Sequence, residues 1–576
     1  MEKTTKRNRW ILQAILLSAG AAMALGGCGG GGGGGSSGSP SPDNGDDPED
    51  IQTRDGWLFF EGNALSAIGP DEPNNVIIVD DQAATTLDNN THAAPLSLIG
   101  GTWEGHDEGL LNSRVSHIAY WATTGELFRV DADLDTDPSA GGRQQMSSED
   151  IVSPDVICNW MPGADFADAE ASMVLYKTGD SATTCMQPDN PSQGDDWKGT
   201  PLNADANETP LDFPGDPVTP IHNEDGSLAG FLAVDMNDEE LVYLDRDFQQ
   251  QGSALASIGQ HAALHGLTVF AGRPAPVIVD SELCIYQHDE GSAPGSLECT
   301  GHTFVDHEET HTGNHSPSEH ARDGDILYFI DDKELWRVDL AADNPDVDSL
   351  LAPDDIPDPV HMAGDLYRVT ATPDHVVWIF PIDTTSSLGA DETRVVSLER
   401  GNYGTMAVDH TYVNTLRSMT ENAMHLRRAG EWIFYTGPGY LEATARKADG
   451  TGVRTFDDAM WLGASYNPLA TNAEDDLDQV FLLEGVQGAT EHADTTLKAF
   501  SPNDPAEASA VELGTFDSDV NQASFWPLGT GSQRLLRVTS GDISAPDHDV
   551  YFIDPETAGS LTQVDGDEDH QPVMGH

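Results

Sequence analysis

The sequence predicts an all-β fold, and three observations carry that prediction. Apolar residues fall in short β-branched and aromatic runs; Asp, Gly, Asn and Pro bound them; and convincing amphipathic helices are absent. Short runs punctuated in this way are the signature of strands joined by turns, whereas a helix of ordinary length needs a 3.6-residue apolar period.

The chain opens with a different kind of segment. Lys3, Lys6, Arg7 and Arg9 precede an apolar run from Ile11 to Leu25, interrupted by Gln13, Ser18 and Gly20. A comfortable bilayer span needs about 20 apolar residues, so this run fits the h-region of a signal peptide better than a transmembrane helix. It ends in Leu25-Gly26-Gly27-Cys28, which resembles the lipobox of bacterial lipoproteins. The resemblance implies cleavage before Cys28 and a thioether-linked diacylglycerol on its sulfur. Gly29, where Asp would signal retention, is similar to the outer-membrane class. The expected organisation is a signal peptide over 1–27, a lipidated tether over 28–52 and an ectodomain over 53–576.

The tether follows from composition. Gly29 to Gly35, a Ser/Pro stretch and the acidic run Asp43 to Asp50 make a flexible coil that spans on the order of 25–30 Å root-mean-square. It contains Gly34-Gly35-Ser36-Ser37-Gly38, a formal nucleophile motif. No strand precedes the serine and no helix follows it, so the serine is not presented as a nucleophile.

Beyond the tether the strand cores come in sequence. Trp57 to Phe60 is the first. Ile118 to Trp121 turns through Thr124-Gly125 into Glu126 to Asp131. Met173 to Tyr176, Phe231 to Val234 and Leu267 to Phe270 follow. The clearest hairpin is Asp325 to Ile330, a turn at Asp331-Asp332-Lys333, then Glu334 to Asp339. Val376 to Phe380, Trp432 to Tyr435, Val480 to Leu483 and Leu535 to Val538 continue the series, and Val550 to Asp554 pairs with Leu561 to Asp565. Most cores are spaced by about 50–60 residues, the footprint of a propeller blade with moderately long loops. The text of these units, aromatic-Ile-Asp then Leu-aromatic-Arg-Val-Asp, resembles the inner strands of TolB-like bacterial β-propellers. Trp-Asp blade endings and Asp-boxes are missing. The expectation is a single β-propeller of about seven or eight blades, the alternative being two or more β-sandwich domains.

Charge narrows the partners. The chain holds 98 acidic and 27 basic residues, a net charge of −71. Past the signal peptide only Lys177, Lys198, Lys333, Lys447 and Lys498 remain as lysines. Such a surface repels itself in dilute buffer, and salt screens that repulsion within a Debye length of about 3 Å at 1 M. The composition therefore reads as salt adaptation. It makes nucleic acid and anionic headgroups poor partners.

Four cysteines follow Cys28: Cys158, Cys185, Cys284 and Cys299. An even count in an exported chain points to disulfides. Of the three connectivities, the expected one joins neighbours, Cys158 with Cys185 and Cys284 with Cys299, because each pair flanks one hairpin.

Two motifs raise metal chemistry. His307-Glu308-Glu309-Thr310-His311 is a literal zinc-protease motif, which on a helix would place both histidines on one face. The Gly, Asn, Ser and Pro that follow leave no apolar helix face, and Asn314 and Pro317 stand where the longer metzincin pattern needs Gly and His. The milder expectation is loose Zn²⁺, Cu²⁺ or Ni²⁺ binding by His302, His307, His311 and His315, set against histidines that are merely polar loop residues. Asp131, Asp133, Asp135 and Asp137 alternate like the start of a calcium loop, but Thr136 and Gly142 occupy the positions where glycine and glutamate are needed. The functional expectation is a membrane-anchored binding or assembly scaffold in the cell envelope, engaging the bilayer through its Cys28 acyl chains and an envelope protein as partner. A hydrolase or lyase in a propeller mouth and a metal-sequestering surface protein are the alternatives.

Overall fold

The structure is a computed structural model and describes residues 57–572, apart from internal stretches of which 179–196, 463–479, 352–367 and 305–318 are the longest. Cys28, Cys185, His307, His311, His315, Asp133, Asp135 and Asp137 lie outside the described residues, as does the side chain of Cys158.

The fold is all-β. Besides strands, the described residues form one short 3-10 turn, Ala169–Ala171, and none of their helices is long and apolar enough to cross a membrane. The strands group into ten sheets of four or five among the described residues, with one small two-stranded sheet besides. Ten sheets replace the seven or eight units expected from spacing. In seven of the ten, four strands that follow one another in the chain are hydrogen-bonded in that order or its reverse, as an antiparallel meander. The sixth sheet, Glu319–Asp323, Ile326–Asp331, Glu334–Asp339 and Val347–Leu351, shows the pattern. Its central hairpin sets Asp331 opposite Glu334, as the turn residues predict.

One strand expectation is corrected. Leu267 to Phe270 does not nucleate its own sheet. Its described part, Val269–Phe270, runs parallel to Asp216–His222 as an extra strand on the edge of the fourth sheet. The fifth sheet is built instead on Pro274–Val279 and Glu282–Gln287. The Asp-Gly turns behave as expected. Gly226 and Gly450 both adopt φ +80°, and Asp225 and Asp449 accept backbone and hydroxyl hydrogen bonds from Ser227 and Thr451.

The strand cores lack alternation for a physical reason. Pro274–Val279 is buried at every position, because each sheet is covered on both faces by its neighbours. Val174 and Tyr176 of the third sheet pack on Trp121 of the second, and Met173 and Leu175 pack the other way, on Phe231 of the fourth. The same relation joins the fourth to the fifth, the fifth to the sixth, and so on to the tenth. One further cluster holds Leu58, Phe59 and Leu65 of the first sheet together with Tyr120 of the second and Leu535, Val550 and Phe552 of the tenth. The last unit therefore lies against the first. The two ends of the described stretch meet in hydrogen bonds as well: Leu58–Glu61 pairs with Leu65–Ile68 on one side and with Gln571–Pro572 on the other.

The fifth sheet carries a disulfide between Cys284 and Cys299, the neighbour pairing expected for these two. The two residues stand directly opposite each other on adjacent antiparallel strands, so the bridge pins the outer strand Ser296–Thr303, whose side chains are mostly exposed.

Candidate functional site

Basic residues are scarce, so where they gather is informative. Twelve of the 27 fall between residues 319 and 454, the stretch that forms the sixth to eighth sheets. Folding brings several of them to one place, where the turns after Asp323, Ala371 and Glu399 approach one another.

Asp323 ends the strand Glu319–Asp323 and is buried, 4% exposed. Gly324 follows with φ +58°, turning the chain at once into the next strand and leaving the carboxylate at the end of the sheet. Two guanidinium groups from two other sheets converge on it. Arg400, immediately after Glu392–Glu399, donates from Nη1 to Asp323 Oδ2. The same Nη1 reaches Pro373 O at 2.9 Å and Thr372 O at 3.4 Å. Arg428, in Leu426–Ala429 and only 3% exposed, lies 3.8 Å from Asp323 Oδ1 and donates to Ala371 O. One carboxylate thus ties the sixth, seventh and eighth sheets together. A buried charge persists only when paired and hydrogen-bonded: Asp323 is paired with both cations and hydrogen-bonded through Oδ2, while its Oδ1 faces Arg428 at ion-pair distance without a hydrogen bond.

A phenol pair adjoins this knot. Tyr328 stands opposite Arg337 across the central hairpin of the sixth sheet, and Tyr403 lies in the turn after Arg400. Their hydroxyls are 3.2 Å apart. Arg337 Nη1 is 3.5 Å from Tyr403 Oη, and its guanidinium lies 5.0 Å from the Tyr403 ring centroid. From the other side the Arg400 guanidinium sits 5.8 Å from the Tyr328 ring centroid. Arg337 is held in turn by Asp348, at 3.2 Å from Nε and 2.8 Å from Nη2. The two phenols are driven apart in acidity. Burial, with the hydrogen bond to Tyr403, pushes Tyr328 upward against the opposing charge of Arg400. Burial would also raise Tyr403, but hydrogen bonds from Tyr328 and Arg337 and the Arg337 charge outweigh it and leave this phenol below its ordinary value.

Two other buried polar groups are built for packing. In the first two sheets Tyr120 donates to Asp80 at 2.9 Å, and Arg143 donates to the same carboxylate while covering Phe128 at 4.7 Å. Between the fifth and sixth sheets, His302 Nε2 lies 3.1 Å from Asp331 Oδ2. Its ring is enclosed by Phe304, Phe329 and Trp336 at 4.8–5.2 Å between centroids. His302 thus sits beside a carboxylate within a ring of aromatics, while His307, His311 and His315, its expected co-ligands, lie outside the described residues. Asp131 is the described member of its acidic run, since Asp133, Asp135 and Asp137 lie outside the described residues. It ends Leu127–Asp131 opposite His117 and acts on that imidazole, opposing the lowering that burial imposes. Among the described residues, no three His, Cys, Asp or Glu side chains gather as a metal ligand set.

None of the arginine–tyrosine site was predicted from motifs. The available signal was the clustering of arginines in a chain that otherwise avoids cations, together with Arg322 and Arg427 each two residues after a histidine.

No family model and no curated protein matches the chain. Among solved structures it is similar to a eukaryotic initiation factor at 8% identity, over 80% of this chain and 97% of the other, with a TM-score of 0.36. Prolyl oligopeptidase B from Galerina marginata matches at 9% identity over 82% of this chain and 57% of its own, with a TM-score of 0.29. The β-propeller domain of Cps50 (Swd1) from Myceliophteria thermophila matches at 10% identity over 59% of this chain and 96% of its own, with a TM-score of 0.26. Scores this low carry neither a topology nor an activity across.

Proposed function

We propose that the protein is a lipid-anchored envelope lipoprotein whose ectodomain is a single propeller of ten blades, acting as a binding or assembly scaffold at the outer membrane. The observation that carries this reading is the seam. Leu58–Glu61, the first described strand after the tether, bonds to the C-terminal Gln571–Pro572, so the anchored end enters the body where the chain would close on itself. A body fastened at one point suits a scaffold that presents its surface to a partner.

Replacing Cys28 with Ser tests the anchor. The variant should partition into the soluble fraction and lose metabolic palmitate labelling, and a variant that stays labelled and membrane-bound sinks the proposal. The acidic surface adds a second expectation. Raising NaCl from about 0.05 to about 1 M screens repulsion among the carboxylates, so the thermal midpoint of the ectodomain should rise. A midpoint that is flat or falling over that range contradicts salt adaptation.

A further inference from the structure

We propose that Arg400, Tyr403, Tyr328 and Arg337 form a binding site for an oxyanion, the carboxylate or phosphate group of a ligand. The inference goes beyond the anchor reading and stands without it, since it concerns one end of the sixth and seventh sheets and not the tether.

Donor geometry is the first support. Every hydrogen bond of Arg400 to Asp323, Thr372 and Pro373 leaves through Nη1. Its Nε–Nη2 edge is not committed to those acceptors, and its side chain is 21% exposed. That edge is the fork that receives carboxylate and phosphate oxygens two at a time, in the strongest hydrogen bonds a protein offers an anion.

The phenol pair is the second support. The hydroxyls of Tyr328 and Tyr403 sit 3.2 Å apart between two guanidinium groups. Tyr328 is fully buried and can donate to Tyr403, which leaves the Tyr403 hydroxyl proton free to rotate toward an incoming oxygen. Arg337 completes the rim. Its present partner, Asp348, is 53% exposed on its side chain, and a solvated carboxylate of that kind contributes little when it is exchanged for another anion. Asp348 occupies the rim with the chemistry that the ligand would bring. Context is the third support: in a chain of net charge −71, a place where two cations and two phenols converge is unusual, and most of the remaining surface repels anions.

The test uses the full-length protein in detergent, titrated with inorganic phosphate and separately with acetate at ionic strength held constant with NaCl. Binding is read by calorimetry and by the ultraviolet titration of tyrosine. An anion seated against Tyr403 disfavours its phenolate, so the earliest tyrosine midpoint should move upward when the site is filled. Saturation by phosphate alone identifies a phosphate ligand, and saturation by acetate as well identifies carboxylates; either supports the site. Arg400→Gln should weaken binding about tenfold or more. Because Arg400 also supports the fold, Tyr403→Phe is the second variant: it should fold normally, lose the early titration and bind several-fold more weakly. Failure of both anions to bind or to move the midpoint overturns the proposal. So does binding that Tyr403→Phe and Arg400→Gln leave unchanged, which would place the anion elsewhere.

Discussion

Replacing Asp323 with Asn should destabilise the protein by about 3–5 kcal/mol, the cost of removing one partner from a buried ion pair. Asn keeps the size and shape of the side chain, so the loss is electrostatic. Arg428, 3% exposed, would lose the Asp323 charge 3.8 Å away, and Arg400 would lose the acceptor that fixes its Nη1. The damage should spread across three sheets, since Asp323, Arg400 and Arg428 come from the sixth, seventh and eighth. Urea unfolding followed by tryptophan fluorescence measures it, with the Arg400→Gln single and the double variant completing a cycle. The double variant should lose less than the sum of the singles, because each change removes the same interaction. A loss under about 1 kcal/mol for Asp323→Asn would mean the knot is solvated and contributes no more than a surface ion pair.

That knot also shows where sequence reasoning runs out. The all-β class was legible because strand runs are local: Trp57 to Phe60, Val376 to Phe380 and Trp432 to Tyr435 each identify a strand without reference to anything distant. The disulfide between Cys284 and Cys299 was legible for the same reason, since a hairpin makes sequence neighbours spatial neighbours. The unit count was not. Leu267 to Phe270 looks like a strand core, yet Val269–Phe270 joins the preceding sheet in parallel, a pairing set by a return of the chain that no local pattern encodes. The site was less legible still. Asp323, Arg337, Arg400, Tyr403 and Arg428 sit in turns or strands of three sheets, and no spacing rule relates them. At His302 local reading offered neighbouring histidines, and it gave no sign of Asp331, Phe329 and Trp336, which meet this ring across the sheet interface. The acidic surplus reads as salt adaptation, and only the folded chain shows that arginines from residues 319–454 gather at one place.

The proposed ring makes the other large prediction. Glu61 and Gln571 are register partners on the strands where the two ends of the described stretch meet, so cysteines placed at both positions should oxidise to a disulfide. The link would close a loop of nearly the whole ectodomain, and the chain-entropy model gives on the order of 4 kcal/mol or more for loops of this length. The urea midpoint of the oxidised double variant should rise accordingly, and the cross-linked chain should migrate faster than the open one on a denaturing gel. Reductant also opens Cys284–Cys299, so wild type with and without reductant is the proper reference for the gain. Mass mapping then identifies the linked peptides. The gain depends on the rest of the ring resisting separation: the cluster of Leu58, Phe59 and Leu65 with Leu535, Val550 and Phe552 must open together with the two short strands. If no peptide joining positions 61 and 571 forms under mild oxidation, the ends do not meet in solution and a closed ring is ruled out. If the link forms but the midpoint stays where it was, the seam is present and already open in the transition that urea drives, which would place the weakest part of the molecule at the strand next to the proposed anchor.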